Sequence, residues 1–251
     1  MPFVFFQQLK ILKYEEVEST NATAMQRLKT GGAQNGDIIL AGYQIAGKGQ
    51  AQNTWFSSKG NNLLVSIICR DIQLKVSQLP LLNMLVSQAV YTTVCNYFSE
   101  NTTIKWPNDI MVNEQKIAGI LIETTLQGEY IKNAVIGIGL NVNEDSFPEN
   151  LTHACSFFSI TNRYYNLESI LNLLLEQLDI QLLKLKQSNF EEIKEHYEAV
   201  LFGMETKRYF RQGETKFEGI VKGVNNAGQL LVETESEIKT YNNKEITFDL
   251  N

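Results

Sequence analysis

Apolar residues recur along the first 143 positions in two patterns, one typical of buried strands and one typical of helices. Residues 79–98 are apolar at positions 79, 82, 85, 86, 89, 90, 94 and 97, a spacing that predicts a helix of about five turns. Ser19 or Thr20 can cap a shorter helix that runs to Lys29 and ends before Gly31-Gly32. Short apolar runs predict strands within residues 1–14 and at 37–44, 63–70, 103–106 and 130–143, and a hairpin at 110–124 that turns at 113–115.

The pattern changes after Pro148. Residues 167–185 and 189–200 show helical spacing, and from about Met204 the chain turns into five short β runs. Five short strands in so few residues predict a small barrel of the SH3-like kind. We therefore predict an α+β fold in two domains. Residues 1–203 would hold a mixed or antiparallel sheet with helices on one face, and residues 204–251 would form the barrel.

The charge of the chain argues against a nucleic-acid partner. Lys and Arg number 22 against 28 Asp and Glu, which gives a net charge of −6, and no Lys/Arg run exceeds two residues. A DNA-binding surface needs a basic stripe, so we expect no DNA partner and disfavour a nucleic-acid-binding barrel. Three widely spaced cysteines indicate buried thiols in a reducing compartment. No stretch has the length of a membrane span and no signal peptide is visible, so we expect a cytoplasmic protein with no membrane partner.

A long polar connection separates the predicted strands at 37–44 and 63–70, and its sequence over residues 46–62 is AGKGQAQNTWFSSKGNN. A hairpin needs only about two to five loop residues, and long ordered loops inside domains are usually functional. Gly47 and Gly49 would let backbone N–H groups approach a ligand, and Lys48 places a cation between them. The loop therefore suits a phosphate or a carboxylate. The alternative is a flexible surface loop with two turn glycines.

Two further segments place polar residues beside strands. In KWPND, Lys105 can offer a charge to a phosphate and Asp109 can hold Mg²⁺ or a hydroxyl, although a plain turn beside a core Trp has the same composition. Lys116 begins an apolar strand, and Gly119 within that strand suggests close approach of another group to the backbone. The alternative for this pair is an exposed lysine and a bulge glycine.

The chain contains, in this order, the segments YQIAGKGQAQNTWFS, KWPNDI, KIAGILIE and GIGLNVN. Together these segments resemble the catalytic-domain motifs of biotin protein ligases, and the similarity extends from near residue 19 into the C-terminal β region. The resemblance implies a class II synthetase-like catalytic domain of the biotin/lipoate ligase type. It also implies a two-step reaction. Biotin and ATP, with Mg²⁺, form biotinyl-5′-AMP, and the biotin then passes to a lysine of a biotin carboxyl carrier protein or domain.

The resemblance implies a role for each matching residue. Lys116 is the leading catalytic candidate, contacting the carboxyl oxygen and the α-phosphate, and Lys48 is the second. The biotin pocket would be formed by Ser19, Thr20, Asn21, Gln44, Gly47, Lys48, Gly49, Gln50, Trp55, Lys116 and Gly119. The nucleotide would contact Lys105, Trp106, Asn108, Asp109 and Asn141. Asp109 is also the candidate ligand of the metal.

The glycine-rich loop departs from the family's pattern, which is close to GRGRxGRxW. Here Lys48 and Gln50 stand at the first two arginine positions, and Gln52 stands where the family usually has a third glycine. Lysine keeps the charge but lacks the bidentate fork of arginine. If the backbone at Gln52 has a positive φ in the closed loop, the glutamine costs on the order of 1 kcal/mol. We therefore predict a ligase that holds its adenylate less firmly, and Gln52→Gly tests this.

Two other functions stay open at this point. A lipoate or octanoate attachment enzyme would share the fold and the catalytic lysine, and a non-catalytic biotin-binding module would result if the loop changes abolish adenylation. Biotin-dependent ATP–pyrophosphate exchange separates both from a biotin ligase. Only 18 residues precede Ser19, too few for the helix-turn-helix domain of longer family members, so we expect no repressor activity. The resemblance is compatible with a monomer and with a homodimer.

Overall fold

A computed structural model describes residues 5–6, 8–50, 53–187 and 190–250, and the larger of its two sheets contains eight strands. Along the chain they are β1 (Lys10–Tyr14), β2 (Asp37–Ala41), β3 (Leu63–Cys69), β4 (Leu74–Lys75), β5 (Thr102–Lys105), β6 (Asp109–Val112), β7 (Gln115–Gln127) and β8 (Tyr130–Leu140). Their order is β1-β2-β3-β8-β7-β6-β5, with β4 also paired to β8. Only β1 and β2 run parallel among these described pairs, so the predicted mixed sheet is confirmed.

The described part of the chain contains five α-helices, and a short 3-10 helix (Val76–Gln78) precedes the second of them. The α-helices are α1 (Thr20–Lys29), α2 (Leu79–Cys95), α3 (Phe157–Thr161), α4 (Leu167–Gln187) and α5 (Phe190–Glu198). The Ser19 side chain caps α1, as predicted, by accepting a hydrogen bond from the Ala22 backbone N–H. The short α3 was not predicted, although Ser156 and Ser159 form a capping box at its start. In the described residues, the N-terminal strand predicted within residues 1–14 is β1, and residues 1–4 and 7 lie outside the described residues.

Helices cover both faces of the larger sheet, so the expectation of helices on one face is wrong. Ala24 of α1 packs against Ile39, Ile68 and Val135 on one side. On the other side, residues such as Ile67 join the main core with α2 and α4. The physical reason is visible in β3, all seven residues of which are buried. Successive side chains of a strand point to opposite faces, so a strand buried throughout needs cover on both.

The C-terminal region forms a separate five-stranded sheet. Its strands are β9 (Lys207–Gln212), β10 (Thr215–Val224), β11 (Leu230–Glu233), β12 (Ile238–Tyr241) and β13 (Thr247–Phe248). They pair in the order β12-β11-β10-β9-β13, and every pair is antiparallel. The predicted run of five short strands is confirmed, and the arrangement is consistent with an SH3-like barrel.

The two sheets are joined near the β5–β6 end of the larger sheet. The Trp106 indole N–H donates to the backbone O of Gly228, at a distance of 2.9 Å. Arg208 on β9 forms an ion pair with Glu114 at 2.9 Å. Glu114 lies in the β6–β7 turn, where it and Asn113 have positive φ, as a tight hairpin requires. Among the described residues, no helix is both long enough and apolar enough to cross a membrane.

Candidate active site

A cavity of about 400 Å³ lies on the α1 face of the larger sheet, where the long loop and the C-terminal sheet approach it. Its wall draws on α1, the loop, β5 to β8 and the turn between β12 and β13. Most of the residues that the sequence singled out meet here. They are Ser19, Thr20, Asn21, Gln44, Lys48, Gly49, Gln50, Trp55, Lys105, Trp106, Asn108, Asp109, Lys116 and Gly119.

Glycines on two neighbouring strands form the floor of the cavity. Gly119 on β7 is the register partner of Gly139 on β8, and the Trp55 indole lies against both. A Cβ added at Gly119 would come within 2.9 Å of the Trp55 ring, and one at Gly139 would overlap it. The interpretation of Gly119 as a place of close approach is therefore confirmed, and the approaching group is the indole.

A third glycine, Gly137 on β8, makes room for Asn21, since an added Cβ would overlap the Asn21 side-chain oxygen. Sequence reasoning did not assign Gly137 a role. The available signal was the spacing of Gly137 and Gly139, because residues two apart on a strand face the same side. Together the three glycines lower one face of the sheet, so that side chains from α1 and the loop can reach it.

The glycine-rich loop is an ordered structure in its described part. Lys48 pairs with Thr54 as an isolated bridge, the Gly49 N–H donates to Asn53 O at 2.7 Å, and the Trp55 N–H donates to Gly47 O at 2.8 Å. Neither Gly47 nor Gly49 has a positive φ, so these two positions do not use the left-handed conformations that glycine permits.

Close packing is what requires a glycine at position 47. A Cβ there would lie 2.6 Å from Trp55 O. Gln52 lies outside the described residues, so the weaker retention of the adenylate that we expect from this residue stays a prediction.

A buried carboxylate anchors the return arm of the loop. Glu144 is 1% exposed, and its side chain accepts from the Ser58 N–H at 2.8 Å, the Ser58 hydroxyl at 2.5 Å and the Asn62 amide at 2.6 Å. Asn62 in turn accepts the Val142 N–H at 2.9 Å. The loop is thereby attached to the segment that follows β8.

One end of the cavity is built from hydroxyl and amide groups. Gln44 Oε1 accepts the Thr20 backbone N–H at 2.8 Å and lies 3.1 Å from the Thr20 hydroxyl. Both side chains are buried and line the cavity. Asn21 is also buried, but its amide nitrogen is held by the Leu121 carbonyl and the Glu123 carboxylate.

The other end carries positive charge. Lys116 Nζ lies 2.6 Å from Asp109 Oδ1 and 5.6 Å from the centroid of the Trp55 ring, a cation–π distance. Lys105 faces the same space, and burial lowers the pKa of its ammonium, with a smaller lowering from Lys116 and an opposing effect of Asp109. Among the described residues that line the cavity, Asp109 is the sole acid, and the lysines are Lys48, Lys105, Lys116 and Lys244.

The KWPND segment is held from three sides. Trp106 reaches the C-terminal sheet through its bond to Gly228, and the Pro107 carbonyl accepts both the Asn83 amide of α2 at 2.8 Å and the Tyr197 hydroxyl of α5 at 3.1 Å. Asn108 is buried, and its side-chain amide donates to Ile120 O. These contacts exceed what a plain surface turn would need, so the segment is a rigid support for Lys105 and Asp109.

Asn141 does not belong to the cavity wall. Its amide donates to the Cys155 carbonyl at 3.0 Å, while its Oδ1 is buried without a hydrogen-bond partner among the described residues. The segment around Cys155 also pairs with Lys116. The Lys116 N–H donates to His153 O at 2.6 Å, and the Cys155 N–H donates to Lys116 O at 2.9 Å. Asn141 therefore braces the backbone that carries Lys116.

Sequence reasoning missed the contribution of the C-terminal sheet. Asn243 and Lys244, in the turn before β13, line the cavity, and the Asn243 amide donates to the Gln50 side-chain oxygen at 2.7 Å. No local signal marked these residues, because the sheet that carries them returns to the site from far along the chain. The described residues include no cluster of three or more His, Cys, Asp or Glu that could hold a metal ion.

Residues 14–141 match the Biotin/lipoate A/B protein ligase family. The chain is 31% identical over 232 residues to the bifunctional ligase/repressor BirA of Bacillus spizizenii, covering 91% of this chain and 71% of that protein. It is 25% identical over 219 residues to the biotin–[acetyl-CoA-carboxylase] ligase of Mycobacterium tuberculosis, covering 86% and 80%. The solved structure of biotin protein ligase from Aquifex aeolicus in complex with biotin and ATP matches with a TM-score of 0.78 and 25% identity, covering 95% of this chain and 98% of that one.

Proposed function

Since this chain belongs to the biotin/lipoate A/B protein ligase family, we propose that it attaches biotin to a lysine of a biotin carboxyl carrier protein or domain at the expense of ATP. In the first step a biotin carboxylate oxygen attacks the α-phosphate, the bond to the β-phosphate oxygen breaks, and pyrophosphate leaves. In the second step the amine of the acceptor lysine attacks the acyl carbon of biotinyl-5′-AMP. AMP leaves, and the amine loses a proton as the amide forms.

The charge of the cavity is the observation that carries this proposal. Lys48, Lys105, Lys116 and Lys244 surround a single Asp109 in a chain whose net charge is −6. A cavity of that sign in an acidic protein suits anionic reactants, and adenylation must bring a carboxylate and a triphosphate together. Fixed cations offset their repulsion and stabilise the charge that develops at the α-phosphate. Lys116, beside the Trp55 ring and Asp109, is the residue we assign to the reacting carboxyl and phosphate groups.

The uncharged end of the cavity suits the biotin ring. The hydroxyls of Ser19 and Thr20 and the amide of Gln44 offer hydrogen-bonding groups, while the Trp55 indole offers an apolar wall. The lid above this end is the glycine-rich loop from Gly47 to Gln50. Enclosure matters because biotinyl-5′-AMP hydrolyses in water, and a closed site excludes the water that would attack it.

The nucleotide is assigned to the end formed by KWPND. Lys105 would contact the phosphates, with Trp106 and Asn108 beside it. Mg²⁺ commonly binds through one or two protein carboxylates together with substrate phosphates, and Asp109 is the residue placed to contribute here. When bound, the ion would neutralise phosphate charge. Asn141 bonds to the backbone segment that pairs with Lys116, so we assign it the role of holding the Lys116 backbone in place.

The carrier needs a surface beside the cavity. Strand β6 pairs with β7 as far as Gly119, and Ile120 still bonds to Asn108. Among the described residues, the stretch of β7 from Leu121 to Gln127 therefore has β8 on one side and no strand on the other. Leu126 on this edge is 58% exposed. An exposed strand edge can accept another strand, and we assign it to the carrier. A homodimer formed through the same edge stays a prediction.

We also propose the division of the chain into a catalytic domain at 1–203 and a C-terminal barrel at 204–251, and a cytoplasmic location. The division is supported by the two separate sheets. The location is supported by the free thiols of Cys69, Cys95 and Cys155, which are typical of a reducing compartment.

The first experiment is ATP–pyrophosphate exchange by the purified chain with biotin, with lipoate, and with neither. The proposal requires exchange that depends on biotin and that falls by about 10²-fold or more in Lys116→Ala. Lys59→Ala serves as the matched control, because Lys59 is an exposed lysine of the same loop region outside the cavity wall. Transfer is then followed with a carrier domain as acceptor.

Each outcome of this experiment has a clear meaning. Exchange with lipoate and none with biotin would assign the chain to lipoate attachment. Biotin binding without exchange would make it a binding module. Exchange that survives in Lys116→Ala would contradict the role given to Lys116.

A further inference from the structure

A buried hydroxyl behind the cavity wall contacts two of the polar side chains that line the pocket. Ser66 lies on β3 and is fully buried. Its Oγ lies 2.6 Å from Asn21 Oδ1 and 2.8 Å from Thr20 Oγ1. A serine hydroxyl carries one proton, so only one of these two oxygens can receive it.

The orientation of Asn21 decides where that proton goes. Asn21 Nδ2 lies 2.8 Å from Glu123 Oε2 and 3.2 Å from the Leu121 backbone O. A carboxylate and a carbonyl can only accept, so both require the amide nitrogen on their side. Asn21 Oδ1, which also only accepts, is left facing Ser66. The Ser66 hydroxyl must therefore donate to Asn21.

The Thr20 hydroxyl then has one better partner for its own proton. Ser66 Oγ, at 2.8 Å, is closer than Gln44 Oε1, at 3.1 Å. Gln44 Oε1 is already occupied in part, because it accepts the Thr20 backbone N–H at 2.8 Å. When Thr20 donates to Ser66, Thr20 Oγ1 and Gln44 Oε1 present lone pairs side by side in the cavity wall. Two adjacent acceptors match a ring that carries N–H donors and repel a ring that carries acceptors.

We propose that Ser66 is a positioning residue that determines ring specificity. Acting through Asn21 and Thr20, it makes this end of the cavity a pair of acceptors and so selects a ring with N–H donors. The inference rests on the proposed function, in which that ring is the ureido ring of biotin. Ser66 is outside the cavity wall, so its effect on the ligand passes entirely through the two side chains that it orients.

The test compares wild type with Ser66→Ala in ATP–pyrophosphate exchange. The substrates are biotin and two carbamate analogues, each with one ureido N–H replaced by oxygen. Removing the Ser66 hydroxyl frees the Thr20 proton, so Thr20 no longer offers a fixed acceptor. We expect the KM for biotin to rise about tenfold, as for one buried hydrogen bond, while the KM for ATP changes less than about twofold.

The analogues supply a readout that a purely structural role of Ser66 would not change. In the wild type, the oxygen of an analogue faces an acceptor and is repelled by it. The KM for an analogue should therefore be much higher than the KM for biotin. In Ser66→Ala the freed Thr20 hydroxyl can turn and donate to that oxygen. The ratio of analogue KM to biotin KM should therefore fall by at least about fivefold for the isomer whose oxygen faces Thr20.

Two further variants separate this effect from packing. Ser87 is a fully buried serine on α2 whose hydroxyl has no hydrogen-bond partner among the described residues, so Ser87→Ala should leave both KM values unchanged. Glu123→Gln changes the group that holds the Asn21 amide nitrogen. An amide at position 123 can donate to Asn21 Oδ1, which weakens the preference for the observed orientation of Asn21, while the Leu121 carbonyl still favours it. The analogue ratio should therefore shift in the same direction by a smaller factor.

The two failures are distinguishable. If the wild type shows no biotin-dependent exchange, the proposed function fails and the inference fails with it. If the wild type exchanges but Ser66→Ala keeps both its biotin KM and its analogue ratio, the inference fails and the function stands. A raised biotin KM with an unchanged analogue ratio also overturns it, because lost packing alone would produce that result.

Discussion

Lys116 and Asp109 form an ion pair in the cavity wall, with Lys116 Nζ 2.6 Å from Asp109 Oδ1. The two residues lie on neighbouring strands, since β6 and β7 pair from Asp109 opposite Gly119 down to the turn. Their side chains are partly exposed, at 38% for Lys116 and 20% for Asp109. A pair this accessible contributes little to stability, so we interpret it as preparation of the site for its substrates. The carboxylate holds the ammonium in place until a phosphate competes for it.

Replacement of Asp109 by Asn should therefore reduce activity far more than stability. We expect adenylation to fall by about 10²-fold, because Lys116 loses its anchor and the phosphate end loses its carboxylate. The free energy of unfolding should change by less than about 1 kcal/mol. Pyrophosphate exchange and urea unfolding measure the two effects, with Asp145→Asn, an exposed acid outside the cavity, as control. A loss of stability large enough to explain the loss of activity would contradict the functional role given to Asp109.

The second prediction concerns the glycines of the cavity floor, Gly119 and Gly139. Ala at position 139 places a methyl group into the Trp55 indole, and overpacking of this kind typically costs about 1–3 kcal/mol. Because the displaced indole forms a wall of the biotin site, the KM for biotin should rise at least about tenfold. Gly32→Ala is the control, since its Cβ would meet nothing closer than 3.8 Å. Combining Gly139→Ala with Trp55→Phe should recover part of the loss, and a failure to recover any would contradict the contact.

The elements with a regular apolar period could be predicted from the sequence. The helix at α2 and the strands at β3, β7 and β8 follow directly from the spacing of their apolar residues. Lys116 was singled out because it places a charge at the start of an apolar strand, and Gly119 because it removes a side chain within that strand. The strong local motifs thus led to the right part of the molecule.

Residues that act across the fold could not be found in this way. Ser66 is one small polar residue in a buried strand, and only its distances to Thr20 and Asn21 give it a role. Lys244 reaches the cavity because the C-terminal sheet docks beside it. The position of α1 on the opposite face of the sheet from α2 and α4 could not be found in this way either. It follows from burial of the sheet on both faces, which helices on one face could not provide.

The pKa of Lys105 gives a prediction about pH. Burial lowers it, so the folded protein releases this proton at a pH where the unfolded chain still holds it. Within the window between the lowered pKa and the ordinary lysine value, the unfolded state binds more protons, and stability rises with pH. Lys105→Met removes this partly buried charge, so the variant should be more stable at neutral pH and should lack that rise.

Urea unfolding between neutral and alkaline pH measures the effect of Lys105→Met. Lys13→Met, at an exposed lysine of β1, should show the same rise of stability with pH as the wild type. The exchange activity of Lys105→Met should fall by about 10²-fold, since a phosphate-contacting cation is lost. The burial argument would be contradicted if Lys105→Met were less stable than the wild type at neutral pH and kept the same rise of stability with pH.

The contact between Asn243 and Gln50 makes the last prediction. Asn243 belongs to the C-terminal sheet region, and its amide donates to Gln50 of the glycine-rich loop at 2.7 Å. Gln50 stands where the family pattern has an arginine, so this bond is one of the restraints that remain on the lid. Asn243→Ala removes it, and a neutral hydrogen bond of this type is worth about 0.5–1.5 kcal/mol. The escape of biotinyl-5′-AMP from the enzyme should then accelerate by about two- to tenfold.

Escape is measured by mixing preformed enzyme–adenylate complex with excess unlabelled biotin and ATP and following release of the labelled adenylate. Asn226→Ala is the matched control, because Asn226 is an exposed asparagine in the β10–β11 turn of the same sheet and is not part of the active-site cavity wall. Gln50→Ala should accelerate release by the same factor, and the double variant should add little, because both changes remove one bond. Independent, multiplying effects of the two substitutions would show that the lid is held by other contacts.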